Sequence, residues 1–372
     1  MSVTSRYPRE LGIYLEDNQI LADEFVTLAE AMKGQGYHTI GLTANPNINS
    51  TFNFHQGFDQ YVDSGVLFSW MPMTQGQNRR GISPLPGAHD LFEKALSFVS
   101  RSGNEGPYYL QFNLMEVHEW IANQPGTNML RREYENIFPG SDRFSKYIRL
   151  LRQMTDDIGR FVEQVTALPG WEDTIFVFTS DHGEGLGDHV SVRPSTGHGY
   201  LLYESMTRVP WIIYRKGWTP ARKVVSQEVR VMDVMPTLLD MIGAPLPEGT
   251  RGVSMLPVIE GNASVAPLPR YEVIETQFQS TDKVAVYGKR FNYIENRVPH
   301  AGLPEFELQP RGGRESGTLT SVMSKYPEIA VQLREYLEGW EREIPRRPPT
   351  TLNRQLSEQE EDQLKAIGYL AE

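Results

Sequence analysis

A strand-like run that ends in an acidic and an imidazole side chain is the part of this sequence best suited to chemistry. Residues 174–178 are mostly apolar, and Asp181 and His182 follow them. Open α/β sheets bind ligands at the carboxyl ends of their strands, so this pair is expected at a ligand-binding edge. Asp181 offers a hard oxygen ligand and His182 a borderline nitrogen ligand, but two ligands alone do not hold a divalent cation. The pair is therefore predicted to be half of a metal site.

Two more histidines are predicted to line the same cleft. His198 stands between Gly197 and Gly199, which give it little side-chain packing, and His118 follows the apolar run 108–115, which is typical of a buried strand. Histidines at the ends of neighbouring strands can neutralise the oxygens of a tetrahedral anion or protonate a leaving group. We therefore predict that His118 and His198 are catalytic residues.

A structural interpretation of the same residues stays open at this point. Asp181 can cap the turn after its strand, and a single histidine such as His118 is more often packed and hydrogen-bonded than catalytic. His189 is expected to be a surface residue or to support a ligand indirectly. The grouping of the other three histidines with Asp181 favours a functional cleft over separate structural roles.

Helical and strand periods alternate through the first two thirds of the chain. Helices are predicted near residues 25–34, 91–99, 141–168 and 233–243, and strands near residues 37–42, 108–115, 174–178 and 209–214. Buried strands that alternate with helices predict an α/β fold, a mostly parallel sheet with helices on both faces. Asp233 is predicted to cap its helix and Gly243 to end it.

The composition changes after about residue 260. Residues 267–296 are rich in β-branched and aromatic residues separated by turn signals, which predicts antiparallel strands, and short helices are expected at 326–343 and 358–367. The predicted organisation is an α/β domain over 1–260 and a small C-terminal α+β subdomain over 261–372.

Composition excludes several classes of partner and site. The net charge of −11 and the lack of clustered Lys and Arg argue against nucleic acid as a partner. The chain has no cysteine, so it forms neither disulfides nor zinc–thiolate sites. No apolar run approaches the roughly 18 residues of a transmembrane helix, and the first six residues lack the apolar core of a signal peptide. Any export signal would precede Met1, so localisation stays open.

The longest motif resembles a known family. Three consecutive segments resemble the signature block of the sulfatases of the alkaline phosphatase superfamily: residues 179–189, Gly197-His198-Gly199 and residues 202–213. Four further segments resemble other blocks of the family and occur in the same order as in its members: residues 27–39, 57–61, 233–239 and 364–370. The resemblance covers about residues 4–261 well. It implies the alkaline phosphatase fold and hydrolysis of a small-molecule or glycan sulfate ester.

The resemblance also implies roles for single residues. Asp181 and His182 match the second pair of ligands to a divalent metal, usually Ca²⁺ and sometimes Mg²⁺ or Mn²⁺. His118 matches the histidine that contacts the ester or its leaving group. His198 stands where relatives carry a lysine or histidine that binds the sulfate or phosphate oxygens.

The sequence departs from the family pattern in its nucleophile. Relatives carry an acidic metal-binding pair near their first strand and then a Cys/Ser-x-Pro-x-Arg motif, whose formylglycine is the nucleophile; neither occurs here. We expect that the chain starts just downstream of its own nucleophile and is inactive or nearly so as written. Ala44 also lies near where many relatives carry an active-site lysine, which leaves the substrate class open.

Two alternatives to a sulfatase follow. The same metal and histidines suit a phosphate or phosphonate ester, so a hydrolase of such esters or a phosphoethanolamine transferase is possible. A chain without its nucleophile is also compatible with a non-catalytic remnant that acts as a binding or structural protein. The alcohol part of the substrate would be selected by loops such as residues 71–86 and 120–139, whose sequences do not identify it.

Overall fold

Helices and strands alternate along the chain in a computed structural model, which describes residues 3–14, 19–63, 87–100, 106–120, 143–186, 196–217, 224–261, 271–278, 281–300, 302–311 and 321–351. The α-helices are α1 (Pro8–Leu11), α2 (Leu28–Gly34), α3 (Ala88–Val99), α4 (Arg143–Thr166), α5 (Glu204–Thr207), α6 (Val234–Met241), α7 (Leu256–Glu260) and α8 (Pro327–Glu343). The strands are β1 (His38–Thr43), β2 (Gln60–Val62), β3 (Tyr108–Asn113), β4 (Ile175–Thr179), β5 (Gly185–Leu186), β6 (Thr196–Gly197), β7 (Trp211–Arg215), β8 (Glu272–Thr276), β9 (Lys283–Tyr287), β10 (Phe291–Asn296) and β11 (Phe306–Pro310).

The chain divides into two compact units. Unit 1 comprises residues 1–19, 177–213 and 224–350, and unit 2 comprises residues 20–176, 214–223 and 351–372. The division at residue 260 stays a prediction. Within the described residues, no helix is long and apolar enough to cross a membrane.

Unit 2 contains the parallel sheet that the sequence predicts. Its strand order is β2-β1-β3, and β1 and β3 pair in parallel from His38 opposite Tyr108 to Thr43 opposite Asn113. Phe92 of α3 stacks on Phe161 of α4 with ring centroids 4.4 Å apart, so the apolar faces of these helices meet. The predicted parallel sheet with helices is thereby confirmed.

Unit 1 contains an antiparallel sheet, as predicted for the residues after 260. The strand order is β11-β10-β9-β8, with Tyr293 opposite Val286 and Leu308. One face packs on α8 through buried residues that include Leu333 and Leu337. The other face packs on residues 201–206. Because both faces are covered, this sheet gives unit 1 its core.

A buried polar network ties the second face of this sheet to residues 201–206. The Glu307 carboxylate accepts hydrogen bonds from Tyr203 Oη (3.0 Å), Asn296 Nδ2 (2.7 Å) and Gln309 Nε2 (2.8 Å). Lys283 donates to Asn296 Oδ1, and burial lowers the pKa of Lys283 to about 8. Buried polar groups with several satisfied partners hold a segment in one place. Tyr203, five residues beyond His198, is therefore fixed to the sheet.

The predicted N-cap of α6 is wrong. Residues Val231–Asp233 form a 3-10 helix that runs into α6, so the backbone of Asp233 is already helical (φ −78°, ψ −9°). Its fully buried carboxylate instead accepts hydrogen bonds from the Arg230 backbone (2.8 Å) and from Val253 N (2.9 Å). The carboxylate therefore links the start of this helical segment to residue 253 instead of capping α6. The helix predicted at 358–367 lies outside the described residues.

Replacing Gly159 by alanine is expected to stabilise the protein by about 0.5–1 kcal/mol. Gly159 lies on the exposed side of α4, and an alanine methyl there meets no described atom within 4 Å, so only the helix propensity changes. Urea unfolding measures the gain. Gly57→Ala is the contrasting control, because φ is +82° there and the methyl would lie 2.2 Å from Glu30 N. A Gly159→Ala protein no more stable than the native one would contradict the prediction.

Candidate active site

Asp181 and His182 lie just beyond the carboxyl end of β4, as predicted. Asp181 Oδ1 accepts a hydrogen bond from His182 N (3.0 Å), and Asp181 Oδ2 lies 3.6 Å from His182 Nε2. Ser180 Oγ donates to His182 O (2.7 Å) and stabilises the turn. The carboxylate is 66% exposed and the imidazole 37% exposed, so both are open to a ligand. The pair thus presents an oxygen and a nitrogen to the same region.

Gly183 lets the chain pass close to another backbone segment. Gly183 N donates to Met206 O (2.8 Å), and Glu184 N donates to Ser205 O (2.9 Å). A methyl group on Gly183 would lie 2.2 Å from Ser205 O, a distance that side-chain carbons do not reach. The close approach therefore requires glycine, and it fixes the direction in which Glu184 leaves the turn.

The short strands β5 and β6 bring Glu184 and His198 together. Gly185 pairs with Gly197 in antiparallel register, so the residues just outside this pair, Glu184 and His198, are opposite one another. His198 Nδ1 lies 3.1 Å from Glu184 Oε2, and these side chains are only 13% and 9% exposed. Thr276 Oγ1 donates to the carbonyl oxygen of Gly199 (2.8 Å) and anchors the segment to β8.

The imidazoles of His182 and His198 are in direct contact. The rings of His182 and His198 stack with centroids 4.0 Å apart. One ring nitrogen of each histidine and one carboxylate oxygen of Glu184 lie within 4.8 Å of one another. The structure therefore joins the predicted ligand His182 and the predicted catalytic residue His198 into one cluster with Glu184.

A hydrogen bond orients the His182 ring in this cluster. His182 Nδ1 lies 2.8 Å from the carbonyl oxygen of Gly183, which only accepts, so Nδ1 is the donor of this bond. Glu184 Oε1 is buried and makes no hydrogen bond with any described residue. A buried carboxylate oxygen without a donor is costly unless a cation or a proton satisfies it. The cluster thus has the donor set of a cation site.

Glu184 is the site residue that the sequence analysis did not identify. Its charge was visible beside the Asp-His pair, but its contact with His198 depends on a pairing of two-residue strands. The flanking glycines Gly185 and Gly197 were the available signal for such a close hairpin. The structure does not describe His189 or the two proposed specificity loops, residues 71–86 and residues 121–139. The side chain of Trp120 is also outside the described part of the chain.

His118 belongs to unit 2. It lies in a 3-10 helix, Glu116–Trp120, that follows β3, and His118 N donates to Met115 O (3.1 Å). This is the carboxyl end of a strand in the parallel sheet, where the sequence analysis expected it. Its catalytic role stays a prediction.

Glu116, in the same 3-10 helix, has a strongly raised pKa. The pKa of this carboxyl is raised from 4.5 to about 7, mainly by burial and to a smaller extent by the charges of Asp157 and Asp90. Glu116 Oε1 accepts a hydrogen bond from Ala88 N, whereas buried Oε2 has no donor among the described residues. Below about pH 7 the protonated form of Glu116 is therefore favoured in the folded protein.

Replacing Glu116 by glutamine is expected to stabilise the protein at pH 8 but much less at pH 5. Between about pH 4.5 and 7 the folded state keeps a proton that the unfolded state has lost, so stability falls as pH rises, by about 3 kcal/mol in total. The neutral amide of glutamine does not titrate, so the variant avoids this loss of stability. Urea unfolding at both pH values measures the change in the free energy of unfolding, with exposed Glu163→Gln as control. Equal effects of Glu116→Gln at pH 5 and pH 8 would refute the prediction.

Comparison with known proteins identifies the family. The sulfatase family model matches residues 1–244. The chain is 33% identical to an arylsulfatase of Clostridium perfringens over 117 residues, 31% of this chain and 23% of the relative. It is 34% identical over 121 residues, 32% of this chain and 22% of the relative, to the multifunctional alkaline phosphatase superfamily protein PehA of Trinickia caryophylli. A delta 4,5-hexuronate-2-O-sulfatase of Bacteroides thetaiotaomicron is 28% identical over 203 residues, 53% of this chain and 40% of the relative. The chain thus spans less than half the length of these relatives.

Solved structures agree on the fold. A protein in complex with its substrate D-glucosamine-2-N,6-O-disulfate superposes with a TM-score of 0.68 at 17% identity, over 94% of this chain and 88% of the other. The phosphonate monoester hydrolase of Agrobacterium radiobacter superposes with a TM-score of 0.67 at 17% identity, over 92% and 85%. At these identities the likeness establishes the fold alone. Because the family model covers well over half of the sequence, the chain belongs to the sulfatase family.

Proposed function

We propose that this chain carries the metal-and-histidine part of a hydrolase that cleaves a small-molecule or glycan sulfate ester. The observation that supports this most is the convergence of Asp181, His182 and His198 just beyond β4. The similarity to an arylsulfatase and to a hexuronate-2-O-sulfatase favours sulfate as the transferred group.

The proposed cofactor is a divalent metal held by Asp181 and His182. Their ligand atoms lie 3.6 Å apart on adjacent residues, which suits two neighbouring positions around one ion. Ca²⁺ is the first candidate, with Mg²⁺ and Mn²⁺ as alternatives. A bound divalent ion polarises an ester oxygen and stabilises the negative charge that develops on it. Asp181 supplies one negative charge and His182 none, so full neutralisation of the ion needs further acidic ligands.

The proposed substrate contacts are His198 and His118. Glu184 accepts the Nδ1 proton of His198, which orients the imidazole and stabilises its positive charge when it is protonated. His198 is proposed to bind the sulfate oxygens, and His118 to contact the ester or its leaving group. A histidine near the bridging oxygen can supply the proton that the leaving alcohol needs.

The nucleophile is the missing component. The 372-residue sequence contains no Cys/Ser-x-Pro-x-Arg motif. We therefore propose that the chain alone is inactive or nearly so, and that hydrolysis requires a formylglycine supplied by sequence outside these residues. Without a nucleophile, the metal and histidines bind and orient an ester but form no covalent intermediate.

Assays with an aryl sulfate test this proposal. The chain as written is expected to turn over 4-nitrophenyl sulfate no faster than its Asp181→Ala variant. A version extended by upstream in-frame residues that carry the nucleophile motif is expected to be active and to lose that activity on Asp181→Ala, His198→Ala or His118→Ala. Turnover by the chain alone, well above that of the Asp181→Ala variant, would contradict the proposed inactivity.

A phosphate or phosphonate ester is the second candidate substrate. The similarity to PehA, a relative named as multifunctional, favours this possibility, and tetrahedral anions of similar size suit the same histidines. The extended protein should be assayed with matched 4-nitrophenyl sulfate, phosphate and phenylphosphonate. The ester with the highest kcat/KM identifies the transferred group, and activity on none of them would favour a binding or structural protein.

A further inference from the structure

We propose that His182, Glu184 and His198 form a binding site for a borderline divalent cation such as Zn²⁺, which shares only His182 with the Asp181–His182 pair. One donor atom from each residue lies within 4.8 Å of the others. The site needs no ligand outside the described residues of unit 1. It goes beyond the proposed hydrolysis, because it uses Glu184 and His198 as metal ligands.

The donor set favours zinc over calcium. Two imidazole nitrogens and one carboxylate oxygen, with a fourth position open, is a common zinc arrangement, whereas Ca²⁺ takes six to eight oxygen ligands. With bonds of about 2.0–2.2 Å, tetrahedral ligands lie about 3.4 Å apart. Donors already within 4.8 Å therefore need to move by only roughly 1 Å to enclose the ion.

The surrounding hydrogen bonds prepare the ligand atoms. His182 Nδ1–H donates to the carbonyl oxygen of Gly183 (2.8 Å), which is the outer contact that metal-binding histidines commonly make and which leaves the lone pair on Nε2. His198 Nδ1 lies 3.1 Å from Glu184 Oε2, close to the separation of two ligands on one ion, so a bound cation would replace the proton between these two atoms.

Glu184 supplies independent evidence for a cation. Its side chain is 9% exposed, and its Oε1 atom is buried without a hydrogen bond from any described residue. Burial of an ionised carboxylate oxygen without a donor is unfavourable, and a bound cation removes the cost. The ladder pair Gly185–Gly197 holds Glu184 against His198, so the ligands are brought together by the backbone before the ion arrives.

Zn²⁺ and a substrate anion would compete for His198. The His198 nitrogen cannot bind a cation and a sulfate oxygen at the same time. Occupation of this site is therefore expected to inhibit hydrolysis in any active form of the protein, while Ca²⁺ on the Asp181–His182 pair supports it. The two sites share His182, so the two cations exclude one another.

Metal titration of the full chain tests the proposal. Zn²⁺ binding, followed with a chromophoric chelator as competitor, is expected to have one high-affinity equivalent and to be at least about tenfold tighter than Ca²⁺ binding. Glu184→Gln is expected to weaken Zn²⁺ binding by about 10–100-fold. The exposed Glu172→Gln makes the same change of charge and is expected to have no effect. Asp181→Asn is expected to weaken Ca²⁺ more than Zn²⁺.

The outcomes separate this site from the proposed function. Equal Zn²⁺ affinity in the native and Glu184→Gln proteins, or Zn²⁺ weaker than Ca²⁺, would overturn the site without affecting sulfate ester hydrolysis. If Glu184→Gln fails to fold, the visible spectrum of the native protein loaded with Co²⁺ tests the site instead. Intense bands of a four-coordinate ion that Zn²⁺ displaces would support the site. The weak spectrum of an octahedral ion would refute it. Failure of hydrolysis in the extended protein would leave the Zn²⁺ result unchanged.

Discussion

Replacement of Arg9 by alanine is expected to lower the free energy of unfolding by about 3–5 kcal/mol. Arg9 is 2% exposed, and its guanidinium donates to both carboxylate oxygens of Glu275 at 2.8–3.1 Å. The same group donates to Ile344 O (2.9 Å) and lies 4.4 Å from the ring centre of Trp340. Glu275 is 6% exposed, so removal of its main partner leaves a buried charge whose remaining ion-pair partner, Arg346, is 3.7 Å away.

Arg334→Ala is the matched control for Arg9→Ala. Arg334 pairs with Glu338 one helical turn away at 3.2 Å, but the two side chains are 56% and 51% exposed. Solvent screens such a pair, and its loss is expected to cost about 0.5 kcal/mol or less. Urea unfolding of both variants measures the difference. Arg9→Lys is expected to recover little, because an ammonium cannot bind Glu275 through two parallel hydrogen bonds. Similar stabilities of Arg9→Ala and Arg334→Ala would show that the buried pair contributes nothing.

Arg9 also illustrates where sequence analysis stops. Its partner Glu275 is 266 residues away, and no local pattern indicates that these two charges meet. Helices and strands that are specified by a local sequence pattern were predicted well. Helix α4 was expected at 141–168 and spans Arg143–Thr166, because its apolar stripe recurs from residue 147 to residue 165 and Gly170 follows it. Local periodicity specifies an element, but only tertiary packing specifies its partners.

The candidate site shows the same contrast between local sequence patterns and tertiary contacts. Asp181, His182 and His198 were predicted as site residues from residue type and from their positions after a strand or between glycines, and the structure places these three side chains close together. Glu184 was not assigned, since its contact with His198 depends on the register of two strands of two residues each. Asp233 was predicted to be a cap because its type and position fit one, yet its buried carboxylate binds Arg230 and the distant Val253 N instead. Short strands and buried charges are the features that sequence patterns describe least.

Replacement of Gly183 by alanine is expected to weaken Zn²⁺ and Ca²⁺ binding at least about tenfold and to lower the free energy of unfolding by about 1–3 kcal/mol. The methyl group would lie 2.2 Å from Ser205 O and 3.0 Å from Ser205 C. These are backbone atoms, which cannot rotate away as a side chain would. The segment must therefore separate from residues 205–206, and the hydrogen bonds from Gly183 N and Glu184 N are lost.

The loss of binding in Gly183→Ala follows from the position of the turn. Gly183 lies between His182 and Glu184, so the backbone shift that the methyl group forces moves both residues away from His198, and ligand distances that depart from their normal values weaken a metal site. Gly34→Ala is the control, because a methyl group there meets no described atom within 4 Å. Metal titration and urea unfolding of both variants test the argument. Native metal affinity in a folded Gly183→Ala protein would mean that the contact with Ser205 does not position the site.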